Sequence, residues 1–203
     1  MICADDAVFA KRLIGIIPEE AEHIVAMPSH VSDMLVQKQF PISCQCIQAL
    51  YTLKTAMPVK HKSIRQLTPE DRPLLEKLNP GFCRDSRDNE LGGGGGYMAD
   101  GYMRERILAG ALYGIFTQDG LAGVIGIHKG GSLGMLYVEP ASRRQGYAAA
   151  LTAYAVNRML EKGWTPYGYV PADDEKTLRL LEKLRFYQAA EKFTIHSRRN
   201  LAG

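Results

Sequence analysis

The residues best suited to chemistry form one basic, glycine-containing turn, Arg143-Arg144-Gln145-Gly146-Tyr147-Ala148. It follows a short apolar segment, residues 133–139, which Pro140 closes and which predicts a buried strand. The residues after it predict a helix. A helix N-terminus offers unpaired N–H donors and about half a positive charge, and arginine side chains add full charges. The sequence therefore predicts a phosphate-binding site where this strand meets this helix.

The same turn resembles the signature of the GNAT superfamily of acyl-CoA-dependent N-acyltransferases, Arg/Gln-x-x-Gly-x-Gly/Ala between a strand and a helix. Arg143, Gly146 and Ala148 fill its three defined positions. The resemblance implies acetyl-CoA as cosubstrate, with the pyrophosphate on the turn amides and the pantetheine arm along the strand. It also implies that a main-chain N–H, preferably that of Val138, polarises the acyl carbonyl. The implied CoA contacts are Leu136, Tyr137, Val138, Arg143, Arg144, Gln145, Gly146, Tyr147, Ala148 and Asp174.

The composition is that of an ordinary globular protein of 203 residues, with 46% hydrophobic and 23% charged side chains. The net charge of +3 is the small difference between 25 basic and 22 acidic residues, which are interspersed. We therefore expect no nucleic-acid partner, because such proteins concentrate basic residues on one face. No apolar run of about eighteen residues occurs and Ala4-Asp5-Asp6 interrupts any signal-peptide pattern, so we expect no membrane span and a cytoplasmic location.

Four cysteines, Cys3, Cys44, Cys46 and Cys83, are few for this length and indicate a reducing compartment. Their spacing lacks the paired pattern of a zinc site, so we expect no metal. Cys44 and Cys46 are two residues apart, which would place both thiols on the same face of a strand.

Residues 1–58 predict a small strand-helix-strand-helix-strand unit. Asp5 or Asp6 is suited to cap a first helix that ends at Gly15, and Ser29 is suited to cap a second. Apolar runs at residues 1–4, 22–27 and 44–53 predict the strands. The unit begins abruptly on a strand, as though an earlier hairpin were missing or the start were truncated. The polar segment 54–62 predicts a linker, so we place a domain boundary after residue 58.

Residues 59–203 predict the larger domain. Thr68-Pro69-Glu70-Asp71 is a helix start, and Asn79-Pro80 predicts that this helix ends there, because the residue before proline avoids helical angles. A helix at residues 100–108 and a hairpin of residues 111–116 and 121–127 precede the central strand. A strand at residues 165–170, a helix capped by Asp173 or Asp174 and a strand at residues 193–196 follow the central helix.

This element order predicts an α/β (α+β) fold in which helices flank a mixed, mostly antiparallel sheet, as in the GNAT fold. Several stretches, among them RERILAGALYGIF, GIHKGGSLGML and LEKGWTPYGYV, resemble one GNAT branch with an extra N-terminal half-domain that shares features with glycine N-acyltransferase-like proteins. Residues 1–58 fit that half-domain as a degenerate GNAT-like unit.

Five consecutive glycines at residues 92–96 predict a flexible loop. A glycine-rich phosphate cradle is the alternative, but the preceding strand and the Lys or Ser that it needs are missing. In an acyltransferase this loop would lie near the acceptor groove, where it could act as a mobile lid.

Three residues are candidates for proton transfer. Glu139 and His128 flank the central strand, where the resemblance implies that acceptor groups gather, and either could accept a proton from the amine. Each also has a purely structural interpretation, as a solvated strand end and as a surface hairpin residue. GNAT enzymes often carry Tyr-Glu-Lys-Leu-Gly-Phe in the later helix, but here Leu181 stands at the tyrosine position and Arg185 at the glycine. Tyr137 and solvent are therefore the remaining proton sources for the thiolate.

Two classes of function are consistent with these observations. The first is an N-acetyltransferase that uses acetyl-CoA and a primary amine of a small molecule or amino acid in a ternary complex. The second is a non-catalytic GNAT-fold module that senses acyl-CoA or pairs with another chain, which the missing tyrosine suggests. We expect a monomer or a homodimer. Release of CoA thiol with any amine distinguishes the two classes.

Overall fold

A nine-stranded sheet organises the residues that the structure describes, with its strands, whose bounds follow, in the order β1-β2-β9-β3-β8-β7-β6-β5-β4. The computed structural model describes residues 2–19, 21, 23–61, 63–85 and 100–197, so the glycine run at residues 92–96 and its predicted lid lie outside the described residues. The strands are β1 (Ile2–Cys3), β2 (His23–Met27), β3 (Ile42–Leu50), β4 (Ile64–Gln66), β5 (Leu112–Thr117), β6 (Gly120–Ile127), β7 (Leu133–Val138), β8 (Tyr167–Pro171) and β9 (Tyr187–Ser197). The helices are α1 (Ala7–Gly15), α2 (Ser29–Gln37), α3 (Arg72–Asp85), α4 (Asp100–Leu108), α5 (Tyr147–Glu161) and α6 (Glu175–Lys183).

Most neighbouring strands are antiparallel, and only the pairs β1–β2 and β7–β8 are parallel among the described residues. The predicted mixed, mostly antiparallel sheet flanked by helices is confirmed. Helices cover both faces of the β4–β7 end, which explains why β5 and β6 are buried along nearly continuous apolar runs.

The two faces of that end bury different side chains of the same strands. Tyr113 and Ile125 pack with α5 and α6, whereas their chain neighbours Leu112 and Val124 pack with α3 and α4. This alternation is the period of two expected for a sheet buried on both faces. The helix α5 therefore lies on one face of the sheet, and α3 and α4 lie on the other.

The N-terminal segment folds as its sequence predicts, with one adjustment. Asp6 caps α1, and its carboxylate accepts a hydrogen bond of 2.7 Å from the Phe9 N–H. For α2 the capping position is occupied by Pro28, and Ser29 is the first helical residue instead of the cap. Ile24 and Ala26 of β2 join α1 and α2 in a separate buried cluster.

The sheet is continuous across the boundary predicted after residue 58. The last strand, β9, pairs with both β2 and β3, and β3 pairs in turn with β8. The predicted linker runs along α5, where the amide side chain of Asn157 accepts from the Met57 N–H at 2.8 Å and donates to the Met57 carbonyl at 2.9 Å. The segment is therefore bound to the larger unit.

One predicted helix end is wrong, and the last strand begins at Tyr187, six residues before its predicted start. The helix α3 was expected to end by Asn79-Pro80 but continues to Asp85. The avoidance of helical angles before proline is a bias that tertiary structure can override, at the cost of one main-chain hydrogen bond.

Candidate functional site

The phosphate turn joins β7 to α5 and is built around left-handed backbone angles. Gly146 has φ of +78° and stands at the position before α5, where a glycine supplies no capping side chain. A β-carbon added at Gly146 would have only the His61 Nε2 within 4 Å, at 3.8 Å. The main chain is thus open on this side, and the first N–H groups of α5 point outward. This is the geometry predicted for an anion site.

The two arginines of the turn diverge. The Nε of Arg143 donates a hydrogen bond of 3.0 Å to the Val138 carbonyl, and its guanidinium lies 5.9 Å from the centre of the Tyr137 ring. Arg143 therefore fastens the turn to the end of β7. Arg144 is exposed and has φ of +68°, a conformation that costs a residue with a side chain about 1–2 kcal/mol.

A cavity of about 740 Å³ opens beside this turn. Gln145, Gly146 and the first half of α5 form one wall, and residues 51–61 with the end of α6 form the others. His61 stands edge-on to Tyr147, with 5.0 Å between ring centres. This second set of basic residues was not predicted, although the basic composition of residues 60–62 was a signal. The basic residues that line the cavity are Lys60, His61, Lys183 and Arg185.

The second cavity lies where β7 and β8 separate. These strands form one described pair, Leu133 with Gly168, at the start of both strands, and diverge beyond it. The cavity between them has a volume of about 160 Å³ and includes Leu136, Asp174 and Leu181 in its lining. Thr152 of α5 also lines it, so the same helix borders both cavities.

A β-bulge shapes the wall of this second cavity. Val124 pairs with Tyr137 and Gly126 pairs with Gly134, so β7 contains one more residue than β6 between these two pairs. Met135, within this stretch of β7, has φ of +55°. Bulges turn main-chain groups out of the regular ladder and are frequent next to active sites. The cosubstrate was predicted along residues 136–138, but the bulge was not, although Gly134 beside it was a signal.

Asp174 lines this cavity and also caps α6. Its carboxylate accepts hydrogen bonds from the Thr177 N–H at 3.2 Å and from the Thr177 hydroxyl at 2.8 Å. Asp174 therefore holds the start of α6 against the cavity.

The candidate proton-transfer residues lie at different ends of β7. The Nδ1 of His128 is 2.9 Å from the Tyr102 hydroxyl, and its imidazole packs over Gly134 beside the bulge. Glu139 follows the other end of the strand, five residues after Gly134, which corresponds to about 16 Å of extended chain. Glu139 is half-buried and its N–H donates to the Ala122 carbonyl at 2.9 Å. One acceptor nitrogen cannot reach both residues.

Tyr137 lies on the face of the sheet that packs with α3 and α4. Its side chain is 4% exposed and belongs to the cluster that includes Val124 and Met135. Leu136 and Val138 point to the opposite face and pack against the cluster around α5. The strand thus offers apolar contacts to the α5 side and the Tyr137 phenol to the other.

Tyr169 is a site residue that sequence reasoning missed. It lines the cavity between β7 and β8, and its ring packs edge-on between Tyr167 and Phe193, with ring centres 5.7 Å and 4.9 Å away. Burial raises the pKa of Tyr169, and the neighbouring Tyr167 phenol adds to the rise. The phenol therefore keeps its proton at neutral pH. Its position in β8 gave no motif by which it could be recognised.

The part of the chain that the structure describes contains no group of three or more His, Cys, Asp or Glu that could hold a metal ion. The Cys44 and Cys46 sulfurs lie 3.6 Å apart, on the same face of β3 as expected. Within the described ranges, no helix has the length and apolar character needed to cross a bilayer.

Comparisons with known proteins agree with this geometry. A family model described as FR47-like protein matches residues 109–195, less than half of the chain but including the turn and the cavity between β7 and β8. No curated protein matches the chain.

Solved structures match almost the whole chain. A Drosophila protein is 19% identical, with 95% of this chain and 67% of that one covered and a TM-score of 0.65. A GNAT-family protein from Novosphingobium aromaticivorans is 18% identical, with 93% and 80% covered and a TM-score of 0.62. An acetyltransferase from the GNAT family of Colwellia psychrerythraea is 10% identical, with 94% and 70% covered and a TM-score of 0.63. The chain therefore has the fold of GNAT acetyltransferases, and the FR47-like match supports the same superfamily.

Proposed function

We propose that this chain, which has the fold of GNAT acetyltransferases, transfers an acetyl group from acetyl-CoA to a primary amine of a small molecule or amino acid. The observation that carries the proposal is the separation of β7 and β8, which opens a cavity beside a left-handed turn at the start of α5. A phosphate-binding turn at the start of α5 and an apolar channel that Thr152 of the same helix lines suit a long ligand with an anionic and an acyl end.

The residues around both cavities fit such a ligand. The first N–H groups of α5 and the exposed Arg144 would hold the pyrophosphate, and the open side of Gly146 lets it approach the main chain. Gln145, Tyr147 and Ala148 belong to the same turn and helix start. Leu136 and Val138 would line the pantetheine arm, with Asp174 at the mouth of the channel.

Bound acetyl-CoA supplies an activated acyl group as a thioester. The chain contributes position, a polarising N–H among residues 136–138 and a route for protons. His128 is the better placed base, because it packs over Gly134 of the cavity wall, whereas Glu139 lies beyond the other end of β7. Tyr169 lines the cavity and is half-buried, whereas Tyr137 is 4% exposed, so Tyr169 is the more accessible proton donor for the departing thiolate.

We also propose that residues 1–58 form the half-domain of the glycine N-acyltransferase-like branch, that residues 59–203 form the GNAT domain, and that the protein acts in the cytoplasm as a monomer or homodimer. The continuous sheet is compatible with two such units joined edge to edge.

Calorimetric titration with acetyl-CoA, followed by a thiol-release screen over amines and amino acids, tests the function. We expect binding in the micromolar range and release of CoA thiol with at least one amine. Binding without release across a broad panel would favour a sensor of acyl-CoA, and absence of binding would overturn the proposal.

A further inference from the structure

A concave apolar surface lies on the face of the sheet opposite α5. It has a volume of about 580 Å³ and is formed by β2, β3, β8 and β9. Its residues include Val25, Tyr169, Ala189, Phe193 and Ile195, all in strands. We call this surface the β9 groove.

The β9 groove meets the cavity between β7 and β8 at Tyr169. This residue lines both, whereas its neighbour Val170 points to the α5 side and packs in the cluster of that helix. Tyr169 and Phe193 pack edge-on and form an aromatic wall that extends from the cavity into the groove. A ligand in the groove would therefore lie next to the place where the strands separate.

The described apolar lining of the β9 groove contains one charged residue. Among the described residues that line the β9 groove, Glu191 alone is charged. The other polar groups in this lining are the Gln48 side-chain amide and the Tyr169 phenol. Glu191 is exposed, so its carboxylate is accessible from solvent. A carboxylate at the rim of an aromatic and aliphatic groove complements a cation with an apolar body.

We propose that the β9 groove binds the acceptor of the transfer reaction, and that this acceptor is a primary amine with an apolar, preferably aromatic, body. The inference rests on the proposed acyl transfer and names the substrate class. Glu191 attracts and orients the ammonium form, and Tyr169, Phe193 and Ile195 bury the apolar body. A free amino acid fits poorly, since the described lining offers no basic group for its carboxylate. A polyamine fits poorly as well, since a second ammonium group would lie against apolar side chains.

The reaction balances without a further reagent. The ammonium group loses one proton to water, and the amine nitrogen forms a bond to the acyl carbon and then loses a second proton, which balances the one that the sulfur takes up. The bond between that carbon and sulfur breaks, and the sulfur takes up one proton to give the thiol. Glu191 is a positioning residue in this scheme, because it acts on the substrate ammonium before the attack.

The test measures thiol release by the full chain with acetyl-CoA and phenethylamine or octylamine, against glycine, glutamate and spermidine. We expect kcat/KM for phenethylamine to exceed that for glycine at least about tenfold, as burial of several apolar groups permits. Glu191→Gln should raise the KM for phenethylamine about fivefold with kcat nearly unchanged, the effect of losing one partly exposed ion pair. Glu182→Gln, which removes an exposed carboxylate of α6 outside the groove lining, is the matched control and should change neither constant.

A second variant, Ala189→Trp, fills the groove from β9. It should abolish phenethylamine turnover and keep the calorimetric affinity for acetyl-CoA, which also shows that the variant folds. Saturation-transfer NMR with phenethylamine reports binding in the groove without any turnover. If the chain transfers no acetyl group but binds phenethylamine, and Ala189→Trp abolishes this binding, the groove is an amine site and the enzymatic proposal is overturned.

Other outcomes would overturn the assignment of the groove and leave the proposed acyl transfer intact. Transfer to glycine or spermidine in preference to phenethylamine, or equal behaviour of Glu191→Gln, Ala189→Trp and Glu182→Gln, would overturn the assignment of the groove while the acyltransferase stands. If a second copy of the chain covers the groove instead, Ala189→Trp will change the sedimentation mass and leave amine kinetics unaltered, which also overturns the assignment.

Discussion

The Tyr102 hydroxyl lies 2.9 Å from the Nδ1 of His128, so α4 holds the imidazole from the face of the sheet opposite α5. The other side of the imidazole packs over Gly134, one residue before the bulge in β7. This contact fixes the ring orientation, and with it the direction in which Nε2 can exchange a proton. A residue of one helix thus sets the geometry of the candidate base on a neighbouring loop.

Replacement of Tyr102 by Phe tests this relationship. We expect kcat to fall about tenfold, because the hydrogen bond that orients the base is lost while the ring is kept. Tyr154→Phe removes a hydroxyl from α5 away from both cavities and serves as control. Equal kcat values for Tyr102→Phe and Tyr154→Phe in the thiol-release assay would contradict a role for His128.

Gly146 and Gly163 offer a matched pair at the two ends of α5. Both have positive φ, +78° and +72°, and neither would meet a close neighbour on gaining a β-carbon. Alanine at either position should lower the free energy of unfolding by about 1–2 kcal/mol, which urea denaturation measures. Only Gly146→Ala should also weaken acetyl-CoA binding in calorimetry. Equal affinities of both variants would remove the turn as the phosphate site.

Arg144 combines backbone strain with a charge, and two variants separate them. Arg144→Gly should raise the free energy of unfolding by about 0.5–1 kcal/mol, because glycine adopts the left-handed conformation without the steric strain that a β-carbon causes. The same change should weaken acetyl-CoA binding about three- to tenfold through the lost charge. Arg144→Lys keeps both charge and strain, so its stability and affinity should stay near those of the parent. A Gly variant with unchanged affinity would show that Arg144 does not contact phosphate.

Tyr169→Phe examines proton donation at the cavity. Its raised pKa keeps the phenol protonated at neutral pH, so removal of the hydroxyl should lower kcat at least about tenfold, with acetyl-CoA affinity unchanged. Tyr187→Phe is the control, since Tyr187 is 59% exposed on β9. If Tyr169→Phe and Tyr187→Phe lower kcat by the same small amount, solvent and not Tyr169 donates the proton.

The Asp71–Arg65 pair predicts an acid-dependent loss of stability. Hydrogen bonds from Arg65, at 2.6 and 2.7 Å, lower the pKa of Asp71 to about 2. Because this value lies below the unfolded value of about 3.9, the pair stabilises the fold fully above about pH 4 and loses this contribution as the pH falls toward 2.

Asp71→Asn should therefore lower the free energy of unfolding by about 2 kcal/mol at pH 7, and the difference from the parent should shrink between pH 4 and pH 2. Asp119→Asn, in the exposed turn between β5 and β6, should show no such difference at any pH. A constant difference for Asp71→Asn over this pH range would refute the assignment.

Local signals in the sequence predicted much of the fold. The Asp6 cap, the helix start at Thr68, the hairpin of β5 and β6 and the turn at Gly146 all depend on neighbouring residues, and all lie where the pattern placed them. Leu136 and Asp174, which the family resemblance predicts as contacts of the cosubstrate, line the cavity between β7 and β8.

Long-range pairing could not be predicted in the same way. The position of β9 between β2 and β3 depends on residues more than a hundred positions apart, and the contacts of His61 with the turn depend on the path of residues 51–61. The bulge at Met135 and the role of Tyr169 arise from strand register, which no single residue encodes.

The pairing of β9 has a consequence for synthesis on the ribosome. The strands β2 and β3 leave the exit tunnel more than a hundred residues before β9, the strand that joins them. During synthesis, β2 and β3 therefore have open strand edges until β9 emerges, and unpaired strand edges favour association with other chains.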